Sequence, residues 1–531
     1  MFEDRDLPLD ISFSYRMGFT LSGPQLLPGS DDLAQDLELA TVLQAMASGD
    51  GLLAEVARRG LLTSLTTPDE ISYRQEILAD CLGHPEIPRQ MYAIATEAIV
   101  AQTKVYHPLG IASPSSVLRG AVEALELFTE LLRRLRALAD EHVGSVRSRG
   151  MTTLFSMLRH ELDDAYFATL ADHLERMRFR SGTLISARLG RQNRGIEYVL
   201  RAPSATRRSL RERIGMLPRH ALFFDVHPRD EAGARMLAEL NDRGVNLVAN
   251  ALAQSTDHIL SFFKLLCAET AFYVACCNLH DQLEERGRPT CTPEVVKPDR
   301  LSLTYREMYD VALALRADGP VIGNDADADG KALVMITGAN SGGKSTLLRG
   351  LGQAQLMAQC GMFVGACEYR ASVATQLFSH FIREEDATMS SGKLDEELAR
   401  MNGIVEEIRP GSIILLNESF AATNEREGSE IARQIVDALL ESDVRVLFVT
   451  HQFTLAHTFF ARGSDRALFL RAERGVDGQR SYRVPEGEPL ATSFGEDLYA
   501  KIGGFSTGTG HVVRDGSGEP GRTERQQDVG R

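Results

Sequence analysis

A glycine-rich segment at residues 338–345 has the residue types and spacing that bind phosphate. It reads Gly-Ala-Asn-Ser-Gly-Gly-Lys-Ser, directly after an apolar run and directly before a helical pattern. Glycines let backbone N–H groups converge on phosphate oxygens, the lysine reaches the β and γ phosphates, and the serine hydroxyl binds Mg²⁺. The alternative is a glycine turn that arose by chance, but such a turn requires neither a strand before it nor a helix after it. Because both patterns are present, we expect an ATP site with Mg²⁺. The predicted nucleotide-binding residues are Gly338, Ala339, Asn340, Ser341, Gly342, Gly343, Lys344, Ser345 and Thr346.

A second chemical pair follows the apolar run 413–416, which ends in Asn417 and Glu418. A P-loop ATPase has Asp-Glu at this strand tip: the first carboxylate holds the hydration shell of Mg²⁺ and the second orients or deprotonates the attacking water. Glu418 is therefore the predicted general base. Asn417 offers an amide oxygen to a metal-bound water but no charge, so we expect Mg²⁺ ligation by Ser345 and, through water, by Asn417, with slow hydrolysis as one outcome.

A third apolar run, 446–449, ends in Thr450 and His451. A histidine there can sense a γ-phosphate or polarise the attacking water. This residue alone is weak support, and it counts because the other two elements precede it in the expected order. We predict a catalytic role for His451 beside Glu418.

The elements that must position these residues are strands and helices in alternation. Short all-apolar runs at 333–336, 413–416 and 446–449 are typical of buried parallel strands, which predicts an α/β P-loop ATPase domain at 296–505. A mostly α-helical core and lever region is predicted at 31–295, after an N-terminal segment at 1–30. The polar residues 506–531 are predicted to be disordered.

Within the helical region, the apolar spacing predicts helices from 31 to 105, one long helix through 122–138, another helical stretch over 151–190, and a resumption from Asp230. An arginine-rich segment begins near the end of the stretch 151–190 and continues toward Asp230. Residues 176–219 contain twelve arginines against two glutamates, although the net charge of the chain is −15. These residues carry a charge of about +10, and the segment indicates a small insertion or tip around 176–225.

Bulk composition excludes several classes of protein. No apolar run approaches the roughly 18 residues of a membrane span, and the N-terminus is acidic without an apolar leader, so no membrane partner and a cytoplasmic location are expected. The seven cysteines form no CxxC pair, which disfavours zinc and disulfide frameworks.

These motifs resemble those of the MutS family of DNA mismatch-repair ATPases. The loop GANSGGKST is similar to the family's GPNMGGKST, departing at Ala339 and Ser341. Residues 417–428 resemble DEIGRGTSTYDG, matching at Glu418, Thr423 and Gly428, and Thr450-His451 resembles the family's ATH element. Residues 61–76 are similar to the pattern of its core domain, and the resemblance covers roughly residues 35 to 500.

The resemblance implies an ABC-type, MutS-like ATPase whose homodimer drives helical levers around DNA. It implies that the Ser390-Ser391-Gly392 segment contributes to the nucleotide site of the partner subunit, although the family's Ser-Thr-Phe is here Leu394-Asp395-Glu396. It also places the base-binding segment near 321–325. By the same resemblance, the Arg-rich tip around 176–225 is clamp-like and contacts DNA, the alternative being a solvated charged face. The predicted DNA contacts are Arg207, Arg208, Arg211 and Arg213.

Two parts of the family are predicted to be absent: residues 1–30 leave no room for a mismatch-reading domain, and the tail encodes no nuclease. We therefore do not expect a mismatch reader. A different class stays open, an ATP-binding switch or scaffold that hydrolyses slowly or not at all and engages a protein partner. A transporter-type or chromosome-type ABC ATPase is disfavoured, because we find no LSGGQ signature helix.

Overall fold

The computed structural model describes residues 26–105, 113–180, 182–201, 225–298, 300–339, 341–383, 392–473 and 480–490, and the backbone of two short strands before them. Those strands, Ser14–Arg16 (β1) and Phe19–Ser22 (β2), pair antiparallel. As the apolar spacing predicts, the chain up to residue 105 is then helical. The helices are Ser30–Asp36 (α1), Leu39–Ala47 (α2), Gly51–Leu62 (α3), Pro68–Gly83 (α4) and Glu86–Val105 (α5).

Longer helices complete the helical part. They are Pro114–His142 (α6), Arg149–Glu161 (α7), Asp164–Met177 (α8) and Glu231–Glu285 (α9). At 1.5 Å per residue, the 55 residues of α9 span about 80 Å, and the helix packs against α2, α3, α5 and α6. Its C-terminal half lies in the core, whereas Met236 and Leu247 are 67% and 74% exposed. Helix α9 therefore extends from the core as a long arm beside α6.

Helix α6 forms where the sequence predicts a long helix. Pro114 occupies its first turn and the Ser113 side chain caps it by accepting a hydrogen bond from the N–H of Ser116. Its apolar stripe is buried against α9, and Phe128 meets Phe263 with ring centroids 5.6 Å apart. The outer part of the same stripe packs on Val245 of α9. The two long helices thus form one arm.

The strands of the rest of the chain follow in order. They are Leu184–Leu189 (β3), Gly195–Arg201 (β4), Glu294–Val296 (β5), Leu303–Met308 (β6), Asn324–Asp327 (β7), Leu333–Gly338 (β8), Glu368–Ser372 (β9), Leu377–Phe381 (β10), Ile413–Asn417 (β11), Arg445–Val449 (β12) and Ala467–Ala472 (β13). The helices among them are Val311–Arg316 (α10), Lys344–Gln359 (α11), Lys393–Glu407 (α12), Glu425–Glu441 (α13) and Phe453–Ala461 (α14). All three predicted apolar strands are confirmed, as β8, β11 and β12.

One sequence prediction is wrong. The helical stretch expected over 151–190 ends at Met177, and β3 pairs antiparallel with β4 in a hairpin. The hairpin lies on α9, where a Cβ atom at Gly244 would meet the Cδ1 of Ile185 at 2.3 Å and Thr183 donates to Asn241 at 2.7 Å. The strand depends on contacts with residues about sixty positions away, which local apolar spacing does not report.

Among the described residues, five strands form a parallel sheet in the order β10-β11-β12-β8-β13. Because the strands are parallel, the carboxyl ends of β8, β11 and β12 meet at one edge, which places residues 338, 417 and 449 side by side. A second, mixed sheet has the order β5-β9-β6-β7. The chain is thus a mixed α/β structure with a parallel sheet after its long helices.

Helix α11 joins the parallel sheet to the helical part. Its polar side chains are buried and hydrogen-bonded: Gln353 donates to the Leu37 carbonyl at 2.9 Å, and Gln359 donates to Ser64 at 2.7 Å. Arg349, on the same helix, forms ion pairs with Glu38 and Asp310. The helix that begins at the phosphate-binding segment therefore bonds directly to the first helices of the chain.

By length and composition, α9 could cross a membrane, but 78% of its most apolar window is buried in the protein, as in a core helix. The cysteines at 81, 267, 276, 277, 291, 360 and 367 are free thiols. In the part of the chain that the structure describes, no cluster of three or more His, Cys, Asp or Glu side chains is arranged to hold a metal ion.

Candidate nucleotide site

The segment predicted to bind phosphate forms a loop between β8 and α11. Gly338 and Gly343 have φ of +112° and +93°, a region that side chains with a Cβ atom disfavour. Space is also limited, because a Cβ at Gly342 would lie 2.8 Å from the Cβ of Ala472 on β13. Glycine therefore suits the backbone conformation at 338 and 343, and it permits the close approach of β13 at 342. Asn340 lies outside the described residues.

Lys344 is the first residue of α11 and is only 5% exposed. Its Nζ donates hydrogen bonds to the carbonyls of Gly338 at 2.7 Å and Ala339 at 3.4 Å, and lies 3.9 Å from Oε1 of Glu418. Burial lowers the pKa of the Lys344 ammonium, and the nearby Glu418 carboxylate opposes that shift. The Lys344 ammonium group is thus held inside the loop, at the N-terminus of α11. The N-terminus of a helix stabilises a phosphate oxygen.

Ser345 and Asn417 meet across the tips of α11 and β11. The Ser345 hydroxyl donates to Oδ1 of Asn417 at 2.9 Å. Mg²⁺ takes oxygen ligands, keeps several waters and needs only one or two protein ligands beside substrate phosphates. A hydroxyl and an amide oxygen at this distance, with the Glu418 carboxylate next in sequence, fit that requirement. The predicted pair is thus brought together, although the site lacks a first carboxylate at Asn417.

Glu418 lies between Lys344 and His451. Its Oε2 accepts hydrogen bonds from Nδ1 of His451 at 2.6 Å and from the His451 backbone N–H at 3.0 Å. The hydrogen bond to Glu418 raises the pKa of His451, while partial burial of the ring opposes the shift. The other oxygen, Oε1, faces Lys344. One carboxylate oxygen is therefore engaged by His451, and the second lies on the lysine side.

A pocket of about 450 Å³ adjoins the loop. The sequence places a base-binding segment at 321–325, and Val321, Ile322 and Asn324 do line this pocket, together with Thr346 of α11. Sequence reasoning missed Tyr482, which lines the pocket and whose carbonyl lies 3.4 Å from the position of a Cβ at Gly343. Asn324 holds the Tyr482 segment, because its side chain accepts from the N–H of Val484 at 2.7 Å.

Two groups of predicted residues lie wholly or partly outside the residues that the structure describes. Ser390 and Ser391 lie outside the described residues, and Gly392 is the N-cap of α12. The predicted DNA contacts Arg207, Arg208, Arg211 and Arg213 also lie outside them. The described part of the arginine-rich segment comprises the end of α8, residues 178–180 and the β3–β4 hairpin. The exposed arginines of the hairpin are Arg188, Arg191, Arg194 and Arg201.

Comparison with known domains identifies the family. Residues 66–286 match the MutS2 N-terminal domain, and residues 334–483 match MutS domain V. The chain belongs to the MutS family. MutS domain V is a P-loop ATPase-type domain, and its match runs from β8 to Arg483, so it includes Lys344, Glu418, His451 and Tyr482.

MutS relatives match parts of the chain. MutS protein homolog 4 from Mus musculus is 26% identical over 252 residues, which cover 47% of this chain and 25% of that protein. A protein named putative endonuclease MutS2 from Bacillus subtilis is 32% identical over 238 residues, 43% of this chain and 30% of the relative. Endonuclease MutS2 from Geobacillus thermodenitrificans is 24% identical over 377 residues, 64% and 47% respectively. The chain thus matches less than half the length of each of these relatives.

Proposed function

We propose that this chain is a Mg²⁺-dependent ATPase of the MutS type that acts on DNA. The observation that carries the proposal is the position of Glu418, whose two carboxylate oxygens lie 3.9 Å from Lys344 and 2.6 Å from His451. A phosphate-binding lysine, a base and a histidine thus converge at one edge of a parallel sheet, where nucleotides bind in open α/β folds. The fold that we propose for residues 296–505 is accordingly that of a P-loop ATPase.

The chain's own residues have distinct tasks in this mechanism. Lys344 and the N-terminus of α11 bind the β and γ phosphates, and the pocket at Val321 and Tyr482 takes the base. Ser345 and, through water, Asn417 would hold Mg²⁺, which would neutralise phosphate charge. Glu418 Oε1 accepts a proton from the attacking water, while Oε2 stays hydrogen-bonded to His451. His451 thereby fixes the carboxylate, and the hydrogen bond to Glu418, which raises the pKa of His451, favours the protonated ring.

Steady-state ATP hydrolysis tests this proposal. Wild-type turnover is expected to exceed that of Lys344→Ala and Glu418→Gln, and Lys344→Ala is also expected to lose nucleotide affinity. The loss corresponds to about 2–3 kcal/mol for a charge-assisted phosphate contact, or about 30- to 150-fold. Lys297→Ala, at an exposed lysine directly after β5, is the matched control and is expected to hydrolyse normally. A wild-type rate no higher than those of Lys344→Ala and Glu418→Gln would reject hydrolysis.

We further propose that DNA binds at the arginine-rich tip, in a homodimer whose long arms close around it. The exposed guanidinium groups of the β3–β4 hairpin support this, because arginines that neutralise phosphates give sequence-independent binding. Binding to duplex, forked and single-stranded DNA in low salt is expected to fall when Arg207, Arg208, Arg211 and Arg213 are all changed to glutamate. Unchanged binding of all three substrates would contradict the clamp.

Asn417 favours a second candidate function, a slow or non-hydrolysing ATP switch that engages a protein partner. The residue supplies an oxygen to the metal but no negative charge, so Mg²⁺ is held less tightly than by a carboxylate. The two candidates differ in DNA response: an ATPase that acts on DNA changes its turnover when DNA is added, whereas a switch that serves a protein partner binds ATP without that response.

A further inference from the structure

The backbone that carries Glu418 has an unusual conformation. Glu418 and Phe420 both have positive φ, at +54° and +64°. Side chains with a Cβ atom disfavour this left-handed region, so such residues persist only where their surroundings fix them. The contacts that fix this turn, residues 418–420, therefore determine the direction of the Glu418 carboxylate.

Two buried side chains from other elements contact the turn. Oε2 of Glu397, on α12, accepts a hydrogen bond from the backbone N–H of Phe420 at 2.8 Å. Nδ1 of His380, at β10, lies 2.8 Å from Oγ of Ser419, and its ring stacks on Phe420 with centroids 5.5 Å apart and planes 19° apart. All four side chains are at most 3% exposed. The turn is thus held from α12 and β10 at once.

The hydrogen bonds of His380 fix its tautomer. Nε2 lies 3.0 Å from the backbone carbonyl of Glu397, and a carbonyl can only accept, so Nε2 carries the hydrogen. Burial lowers the pKa of His380 to about 4, which leaves Nδ1 without a hydrogen. The single hydrogen of the Ser419 hydroxyl therefore faces two acceptors of His380, the backbone carbonyl at 2.7 Å and Nδ1 at 2.8 Å. His380 therefore links α12 to Ser419, and the hydrogen bond between Glu397 and Phe420 is a second link from α12 to the same turn.

The carbonyl of Phe420 is held as well. Nε2 of Gln452 donates to it at 3.3 Å, from the residue directly after His451. Helix α13 also approaches so closely that a Cβ at Gly428 would lie 2.3 Å from the same carbonyl oxygen. Both polar backbone groups of Phe420 therefore have fixed partners, and the N–H depends on Glu397.

We propose that Glu397 is a positioning residue for Glu418: by accepting the N–H of Phe420, it holds the turn that directs the Glu418 carboxylate toward Lys344 and His451. The inference rests on the proposed function, in which Glu418 is the base. Glu397 contacts the turn and not the reacting atoms, so it acts through Phe420. Since Gly392 is the N-cap of the same helix, a displacement of α12 at its start also moves this contact.

The required feature of Glu397 is an acceptor oxygen, not a charge. Burial raises the pKa of the Glu397 carboxyl group, and its Oε1 has no hydrogen-bond partner among the described residues. A glutamine supplies the same acceptor in the same volume without a buried charge. A methionine has a similar shape but leaves the Phe420 N–H without a partner. The pair Glu397→Gln and Glu397→Met therefore separates hydrogen bonding from packing.

The experiment compares these two variants in the full chain, with Glu407→Ala as the matched control, because Glu407 is an exposed carboxylate at the end of the same helix. The readouts are amide hydrogen exchange of the 417–424 peptide, kcat, and KM for ATP. Glu397→Met is expected to speed exchange and to lower kcat by about tenfold, as for loss of one well-placed hydrogen bond, with KM within about twofold. Glu397→Gln and Glu407→Ala are expected to behave as wild type.

A double mutant distinguishes positioning from general damage. If Glu397 acts through Glu418, Glu397→Met lowers kcat no further in a Glu418→Gln background. Additive losses, or unchanged exchange and kcat in Glu397→Met alone, would overturn the proposal. Should Glu397→Met not fold, Ser419→Ala removes the His380 contact instead and is expected to speed the same exchange. Absent wild-type turnover would reject the proposed hydrolysis, while the exchange comparison still decides the role of Glu397.

Discussion

The hydroxyl of Ser345 donates a hydrogen bond to Oδ1 of Asn417 at 2.9 Å, which joins the start of α11 to the end of β11. An aspartate at 417 would keep this hydrogen bond and add a negative charge at the place proposed for Mg²⁺. The departure from Asp-Glu thus lies at the proposed metal site, where charge has the largest effect on cation affinity.

Asn417→Asp is therefore expected to lower the Mg²⁺ concentration for half-maximal ATP hydrolysis by about tenfold, or ~1.4 kcal/mol. Asn417→Ala, which removes the acceptor oxygen, is expected to raise it. Titration of MgCl₂ at saturating ATP measures both. Equal half-saturation in wild type and Asn417→Asp would show that residue 417 does not contribute to the metal site.

Tyr482 is expected to contribute to binding of the base. Tyr482 lines the pocket beside Gly343, and aromatic stacking adds about 0.5–1.5 kcal/mol, so Tyr482→Ala should weaken ATP and ADP binding by about 2- to 12-fold. The losses should be equal for the two nucleotides, because the base is common to both. Tyr482→Phe retains the ring and is the control. Fluorescence titration with a labelled nucleotide measures these affinities, and a loss confined to ATP would contradict the assignment.

The sequence alone predicted those residues whose role depends on their near neighbours in the chain. The phosphate loop is read from its glycines and lysine, and β8, β11 and β12 are recognised because buried parallel strands are apolar throughout. Their common edge then follows from topology, which is why Lys344, Asn417 and Glu418 are predicted to meet. This part of the site needs no knowledge of distant contacts.

Residues that act through distant contacts could not be predicted. Tyr482 reaches the loop because Asn324, 160 residues before Val484, holds its segment. Glu397 and His380 belong to no motif, and their roles depend on where α12 and β10 lie relative to Phe420. The β3 strand was mistaken for helix for the same reason, since its partner surface is Gly244 on α9.

The ion pair between His451 and Glu418 predicts a pH dependence of stability. The folded pKa of His451 is raised by Glu418, so the contribution is fully present below the ordinary value of 6.5 and is lost as pH rises through the raised pKa. Urea unfolding of wild type and His451→Gln should therefore differ most below about pH 6.5 and converge at higher pH. In a Glu418→Gln background the pH-dependent difference should vanish, and a difference that grows with pH would contradict the ion pair.

Two glycine-to-alanine substitutions should have opposite effects on the free energy of unfolding. The two positions are Gly60 of α3 and Gly403 of α12, and in a helix interior alanine is favoured over glycine by about 1 kcal/mol. Gly60 of α3, however, faces α9, where a Cβ would lie 2.6 Å from the ring of Phe272. That ring is fully buried, with Tyr273 edge-on to it at 5.5 Å, so it cannot retreat.

Gly60→Ala is therefore expected to destabilise the chain by up to about 2 kcal/mol, since overpacking costs about 1–3 kcal/mol against a gain in helix propensity of about 1 kcal/mol. Gly403 of α12 has no atom within 4 Å of its Cβ position, so Gly403→Ala is expected to stabilise by about 0.5–1 kcal/mol. Urea midpoints at constant slope measure both changes. If the two variants shifted the midpoint in the same direction, the close contact between α3 and α9 would be wrong, because the substitution is identical and only the surroundings differ.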